Sequence, residues 1–448
     1  MEVKRIFGRT LLLAAVFGAA SITMADEDSG FISTDSSATA AAIEAVDTDI
    51  PTAAPADSAK TGTIANIVKH DTTSAWDIIE FSGFVNGGSI MNTHGATYNM
   101  VGCNSDRDIQ LNTAYLRAFK KAQTGHGVFD WGFGTDALWG SEGHLFRGYT
   151  GLDSDWATGH RSSDYNGVAD LSDRERENYA GAMPQLYGEL SAYNWKFKAG
   201  RFYSLMGYEG PGDSRFFYTY GRTFEMTPVT HTGAIATFCG IQNMEWSLGW
   251  VMGENNMFSR GYDESLITGG VKLYNGDWVS LKYAFVAGDG AMGGTGGDLF
   301  RNDVVLTANL GNCWGAAFLF NCGKFDGEGG GSWGTSATLN DLAQYYGNIK
   351  YQSWGTYLYY TLSPNWKLGT RMEWQRGVDT DETDGMEILE ISAGVNWMPT
   401  ACDNFAIRPE IRYDKAHMAD ASGYDGMFGN GLAHDDQFTL ACDMIYKF

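Results

Sequence analysis

The residues whose spacing can do chemistry are charged ones set at alternate positions in otherwise apolar segments. Arg371 and Glu373 alternate with Trp366, Leu368, Thr370, Met372 and Trp374. Arg408, Glu410 and Arg412 alternate with Phe405, Ile407, Pro409, Ile411 and Tyr413. A period of two sends successive side chains to opposite faces of a strand, so each segment has one apolar face and one face carrying both signs of charge. Arg201 joins this set, although strict alternation puts it on the face of Trp195 and Phe197. A second concentration lies within residues 205–230, where Glu209, Asp213, Arg215, Arg222 and Glu225 stand among Tyr208, Phe216, Phe217, Tyr218, Tyr220 and Phe224. Mixed rows of charge across a narrow aqueous passage create a transverse field that orients dipolar solutes. Such a field filters solutes without breaking a bond.

Covalent and metal chemistry find less support. His231 stands near Glu225 and Thr230, but a nucleophile needs a base in reach and an oriented third group, and no G-x-S-x-G motif is present. The acidic stretches at Asp153 and Asp155, at Asp379, Asp381, Glu382 and Asp384, and at Asp435 and Asp436 lack EF-hand spacing and read as solvated loops. The six cysteines, at 103, 239, 313, 322, 402 and 442, fit no zinc pattern. Cys313 and Cys322 bracket one strand, which at about 3.3 Å per residue separates them by roughly 30 Å, beyond disulfide reach. The expectation is no catalytic residue, no metal and no cofactor.

The elements that carry these charges are period-two segments that follow one another from Trp76 onward. They fall at about 78–91, 108–121, 127–140, 184–193, 195–204, 231–240, 243–254, 264–275, 277–288, 301–311, 314–325, 344–362, 364–377, 386–398, 403–416 and 434–448. The 344–362 strand has a candidate break near Gln352. The links alternate in length. Short ones fall near Thr124, Asn194, Gln242, Gly276, Asn312, Pro364 and Thr400. Long ones span 92–107, 141–183, 205–230, 289–300, 326–343 and 417–433. A soluble sandwich has no reason to alternate in this way, whereas a membrane barrel does. The predicted fold is an all-β transmembrane antiparallel β-barrel of about 16 strands, within a range of about 14–18, with short periplasmic turns and long extracellular loops. The lumen would hold Arg201, Arg371, Glu373, Arg408, Glu410 and Arg412, and the 205–230 link would fold inward as a constriction loop.

Charge and composition set further bounds. There are 31 Lys+Arg against 54 Asp+Glu, a formal −23, which argues against nucleic acid as a partner because phosphate neutralisation needs cations. The same figure suggests a preference for cations, with most of the charge in loops. After residue 25 no apolar run approaches the ~18–20 residues of a membrane helix. At the N-terminus, Lys4, Arg5 and Arg9 precede an apolar core, Leu11 to Ala20, and Thr23-Met24-Ala25 resembles a cleavage site. Residues 1–25 therefore read as a signal peptide. Residues 26–75, rich in Ala, Ser, Thr and Asp, read as a flexible periplasmic linker, and 76–448 as the barrel.

The last strand, ending Met444, Ile445, Tyr446, Lys447, Phe448, has Phe448, Tyr446 and Met444 on its apolar face. It resembles the C-terminal signature by which bacterial outer-membrane barrels are recognised for insertion. Four stretches together, F-K-A-G-R-F-Y-S-L-M-G-Y-E (197–209), F-F-Y-T-Y-G-R-T-F-E-M-T-P-V-T-H-T-G-A-I-A-T-F (216–238), W-K-L-G-T-R-M-E-W-Q-R-G (366–377) and G-V-N-W-M-P-T-A-C-D-N-F-A-I-R-P-E-I-R-Y-D (394–414), resemble the Putative β-barrel porin 2 (OmpL-like) family. The resemblance runs from about Phe81 to Phe448; the Gly-rich stretch 326–338 is where this chain departs from it. It implies a bacterial outer-membrane channel for small hydrophilic solutes. The expected partners are outer-membrane lipid, the barrel-assembly machinery and further copies in a homo-oligomer. The alternative is a plugged barrel acting as a structural or adhesive surface protein through loops 141–183 and 417–433.

Overall fold

A computed structural model describes residues 79–94, 107–124, 129–148, 179–212, 215–258, 264–276, 278–292, 295–327, 348–377, 386–399, 404–417, 426–429 and 433–448. The expected signal peptide and linker lie outside these residues, as do Asp213, Cys103 and Cys402. The strands are β1 (Glu80–Asn92), β2 (Gln110–Lys120), β3 (Asp130–Gly140), β4 (Ala180–Ala182), β5 (Leu186–Ala192), β6 (Trp195–Tyr203), β7 (Thr230–Ile241), β8 (Met244–Val251), β9 (Ser265–Asn275), β10 (Val279–Met292), β11 (Thr295–Leu310), β12 (Trp314–Gly327), β13 (Asn348–Ser363), β14 (Trp366–Gly377), β15 (Met386–Trp397), β16 (Phe405–His417) and β17 (Asp436–Lys447). Each is antiparallel to its neighbours, and β1 pairs with both β2 and β17, so the sheet closes on itself. Both β4 and β5 pair with β3, with Met183–Gln185 between them. Pro184 there has no N–H to give to the ladder. The two pieces count as one stave, and the barrel has sixteen.

The closed wall is apolar outside, and its inner face carries the buried charges together with apolar clusters. Leu190, Leu248 and Met444 are 58%, 60% and 55% exposed, whereas Arg371, Arg412 and Asp414 are buried. On β14, Trp366, Leu368 and Met372 face out and Lys367, Arg371 and Glu373 face in. Exposed apolar surface costs about 25 cal/mol per Å² in water, and a continuous apolar wall marks a membrane interface. Aromatic pairs band both edges of this wall, as expected at a bilayer's two interfaces. Trp314 against Tyr360 (4.7 Å) and Trp366 against Trp397 (5.9 Å) lie near the rim of tight turns. Trp139 against Tyr179 (5.1 Å) and Trp354 against Trp374 (6.4 Å) lie toward the other.

Links of two or three residues join β5–β6, β7–β8, β9–β10, β11–β12 and β13–β14 at one rim. Asn243 (φ 61°) and Gly311 (φ 70°) supply the left-handed backbone such tight turns need. The expected long link at 289–300 is instead strand. β10 and β11 stay paired out to Met292 opposite Thr295, because Gly290, Gly296 and Gly297 interrupt the apolar alternation without interrupting backbone hydrogen bonding. The 344–362 segment is unbroken from Asn348 to Ser363. The cysteines among the described residues, Cys239, Cys313, Cys322 and Cys442, are free thiols, and Cys442 is exposed on the outer face.

The last strand closes the wall by backbone pairing. Val85 stands opposite Tyr446, the Gly83 N–H donates to the Phe448 carbonyl at 3.0 Å, and the Phe448 N–H donates back at 2.9 Å. Tyr446 (46%) and Met444 face outward.

Candidate functional site

The segment between β6 and β7, described at 204–212 and 215–229, packs against the inner wall, and its polar groups meet the inward charges there. Arg371 donates to Glu209 (3.1 Å), to the Thr219 carbonyl (2.9 Å) and hydroxyl (3.0 Å), and to Glu390 on β15 (2.7 Å). Glu410 accepts from the Thr219 N–H (2.8 Å) and hydroxyl (2.6 Å). Arg412 donates to the Tyr220 carbonyl (2.6 Å) and to Asp414 (2.7 Å). Arg408 donates to the carbonyls of Gly212 (3.0 Å) and Arg215 (2.6 Å) and to Asp443 (2.9 Å). Glu373 accepts from the Thr223 N–H (2.9 Å) and hydroxyl (2.7 Å) and from Tyr357 (2.6 Å). These wall charges therefore do two things together: they pair across strands, and they satisfy backbone groups that a buried loop would otherwise leave unpaired.

The segment's own charges are equally engaged. Glu209 accepts from the Gly221 N–H (2.7 Å). Arg222, in a 3-10 turn at Arg222–Met226, donates to Asp414 (3.0 Å) and lies 3.6 Å from Glu225, whose side chain keeps 18% exposure. Burial raises the Glu225 carboxyl above its ordinary value, and Arg222 opposes this. Arg215 donates to the carbonyls of Phe217 and Tyr218 (3.1 Å each), lies over the Tyr220 ring at 3.8 Å, and pairs with Glu142. Glu142 precedes a one-turn helix, α1 (Gly143–Phe146). Burial alone would raise its carboxyl, but Arg215, the Thr113 hydroxyl and the Gly212 N–H together outweigh burial and hold it below the ordinary range.

Aromatic packing completes the fit. Phe216 lies 5.0 Å from Phe217 and 5.1 Å from Tyr359. It covers Gly369, where an added Cβ would come within 2.4 Å of the ring. Arg371 lies 4.7 Å over the Phe217 ring, and Tyr220 packs against Phe224 with ring centroids 4.3 Å apart and tilted by 37°. At the root of the segment, the Gly207 N–H donates to Asp303 on β11 (3.0 Å), and Lys282 on β10 donates to the Gly207 carbonyl (2.6 Å). Arg301 on β11 holds the Met226 carbonyl at 2.9 Å near the far end.

Arg201 is buried with its guanidinium donating to the Phe146 carbonyl (2.9 Å) and to Thr230 (3.2 Å). Strict alternation would have sent it outward with Phe197. Gly200, at φ 128°, breaks the extended backbone just before it, and the Tyr203 hydroxyl beyond the break lies 3.4 Å from that of inward Tyr115. His231 is buried with Nδ1 at 3.0 Å from the Gly253 carbonyl. Among the described residues no group of three or more His, Cys, Asp or Glu is arranged to hold a metal. Asp435 accepts from Lys415 and Asp436 from Tyr413.

Sequence reasoning missed several partners. Glu390, Asp414 and Asp443 lie at inward positions of their own strands β15, β16 and β17, and the period-two pattern already puts Asp414 in the row of Arg408, Glu410 and Arg412. Glu142 lies in a link, and nothing local marks it. Met427 and Phe428, in the link before β17, are fully buried in an apolar cluster with Met226, Leu266, Phe325 and Tyr351, so a second segment also reaches the interior.

The chain is similar in fold to solved bacterial porins. It matches an anion-selective porin from Comamonas acidovorans with a TM-score of 0.53 at 12% identity, covering 83% of this chain and 99% of that one. It also matches the outer membrane channel DcaP of Acinetobacter baumannii (TM-score 0.49, 11% identity, 83% and 97% covered) and OmpT, an outer membrane protein of Vibrio cholerae, in its trimer form (0.48, 9%, 83% and 99%). No curated protein matches in sequence. The model of one family, described as Putative beta-barrel porin-2, OmpL-like, matches residues 78–448. That match takes in every strand of the closed barrel, and the chain belongs to this family, whose members are bacterial outer-membrane channels for small solutes.

Proposed function

We propose that the protein passes small hydrophilic solutes by passive diffusion, with residues 204–229 as the constriction and with Glu209, Arg215, Arg222 and Glu225 set against Arg371, Glu373, Arg408, Glu410 and Arg412 as the charges, buried apart from Glu225, that hold it to the wall. One observation carries the reading: wall charges on β10, β11, β14 and β16 bind backbone groups along the length of that segment. A loop lying across the outer rim would leave its backbone to water. The reading includes export with a signal peptide cut near Ala25, a periplasmic linker at 26–75, insertion by the barrel-assembly machinery with Phe448, Tyr446 and Met444 as its signature, contact with outer-membrane lipid, a homo-oligomer, and no catalytic role. Swelling of liposomes carrying the purified protein, in uncharged sugars of increasing size, tests it. Swelling should fall off sharply with sugar size; swelling no faster than in empty liposomes would count against it.

A second reading has one observation in its favour. The apolar cluster that includes Met226, Met427 and Phe428 draws on two links and on strands β5 to β13, β15 and β16, as a plug would. On that reading the barrel is a structural or adhesive surface protein, and the same liposomes stay unswollen.

A further inference from the structure

The formal −23 differs from the charge that a solute meets on the inner wall. The carboxylates of Asp136, Glu245, Asp303, Glu390, Glu410 and Asp414 are all buried, and the arginines of the loop-covered wall are buried with them in ion pairs. Among the described residues, the inward basic residues of strands β2 to β10 that keep water contact are Arg117 on β2, Lys198 on β6, Lys272 on β9 and Lys282 on β10, each half-buried. Each stands three residues from the periplasmic end of its strand, at Lys120, Trp195, Asn275 and Val279 respectively. They therefore form one tier on the β2–β10 part of the wall.

Within this tier Lys272 and Lys282 face each other directly in the β9–β10 ladder, with Cβ atoms about 4.5–5.5 Å apart, where like charges destabilise. Lys282 is held by the Gly207 carbonyl, with Asp303 nearby. Lys272 makes no hydrogen bond or ion pair among the described residues; on its other flank stands buried Glu245. Lys198 lies 4.0 Å from Glu189 and Arg117 3.5 Å from Asp136, and both carboxylates are buried. An anion entering here meets ammonium tips at once and relieves the repulsion between the two lysines. A cation reaches these carboxylates only by displacing the basic side chains in front of them.

We infer that Lys272 and Lys282, at the root of the inward segment, form an anion-contacting subsite, flanked by Lys198 and Arg117, and that the channel prefers small anions such as carboxylates and phosphate. This rests on the channel reading above. The test is the reversal potential of the full-length protein in planar bilayers across a KCl gradient. The expected sign is that of chloride preference, and Lys272→Gln should lower the anion-to-cation permeability ratio several-fold, while Lys324→Gln on the outer wall leaves it unchanged. Cation preference of the unaltered protein would overturn the inference, and this result needs no variant to fold. A ratio unmoved by Lys272→Gln would also overturn it. Absence of any current from folded protein would instead remove the channel reading itself.

Discussion

Arg371→Met asks most of the inward segment's attachment. The Arg371 guanidinium makes three hydrogen bonds to that segment, at 3.1, 2.9 and 3.0 Å, and it also engages Glu390 (2.7 Å), Ser392 (3.3 Å) and Glu410 (3.4 Å) on the wall. Removing one partner of a buried ion pair costs about 3–5 kcal/mol, largely because the partners left behind are uncompensated. Half of the contacts reach the segment, so about 1.5–2.5 kcal/mol of that loss falls on its docking, which is roughly a 10- to 60-fold shift at about 1.4 kcal/mol per decade. Arg408 still holds Gly212 and Arg215, and Glu373 still holds Thr223, so the segment should flicker rather than leave. The methionine fills most of the vacated volume, and the backbone ladder of β14 is untouched. Single-channel recording should show added open-state noise and a higher mean conductance, and thermal unfolding should shift downward. Unchanged conductance, noise and unfolding temperature together would refute the claim that wall charges hold this segment.

Three further outcomes follow from the same contacts. The Glu142 carboxyl is held below its ordinary value when folded, so its contribution is present above the usual glutamate range and lost only as pH falls through the depressed value. Conductance noise should thus stay flat from neutral pH to about the unperturbed glutamate pKa of ~4.3 and rise only in stronger acid, whereas Glu142→Gln should be noisy already at neutral pH. Gly369→Val places side-chain atoms where the Phe216 ring lies and should displace that ring and raise conductance, as read in bilayers; a matched Val at Gly276, where nothing lies within 4 Å, should leave conductance alone despite its strained turn. Deleting Phe448 removes the reciprocal bonds to Gly83 and should lower the amount of folded protein in the outer membrane, measured by heat-modifiable gel mobility, with little change in the conductance of molecules that insert.

The strands were legible because lipid imposes a simple rule: every second side chain must be apolar while the others face water or each other. Trp366 to Trp374 and Phe405 to Tyr413 obey it closely, and the sixteen staves lie where that rule places them. It weakens where a strand runs past the lipid. Beyond Ala287, β10 and β11 continue through Gly290, Gly296 and Gly297, whose missing side chains carry no alternation, so that stretch reads as a loop. At Arg201 the rule pointed the wrong way, since a single backbone angle at Gly200 turned the chain. The partners of the wall arginines were legible only by parity, as with Asp414 and Asp443. Glu142 and Phe428 were not, because links have no period and their contacts cross the interior from distant parts of the chain.

The central claim, a water-filled channel narrowed by residues 204–229, is tested most directly by single-channel conductance after replacing residues 208–226 with a short Gly-Ser link. The barrel should remain stable and show a clear stepwise rise in conductance over the intact protein. Equal conductance from the two proteins, both folded, would contradict it.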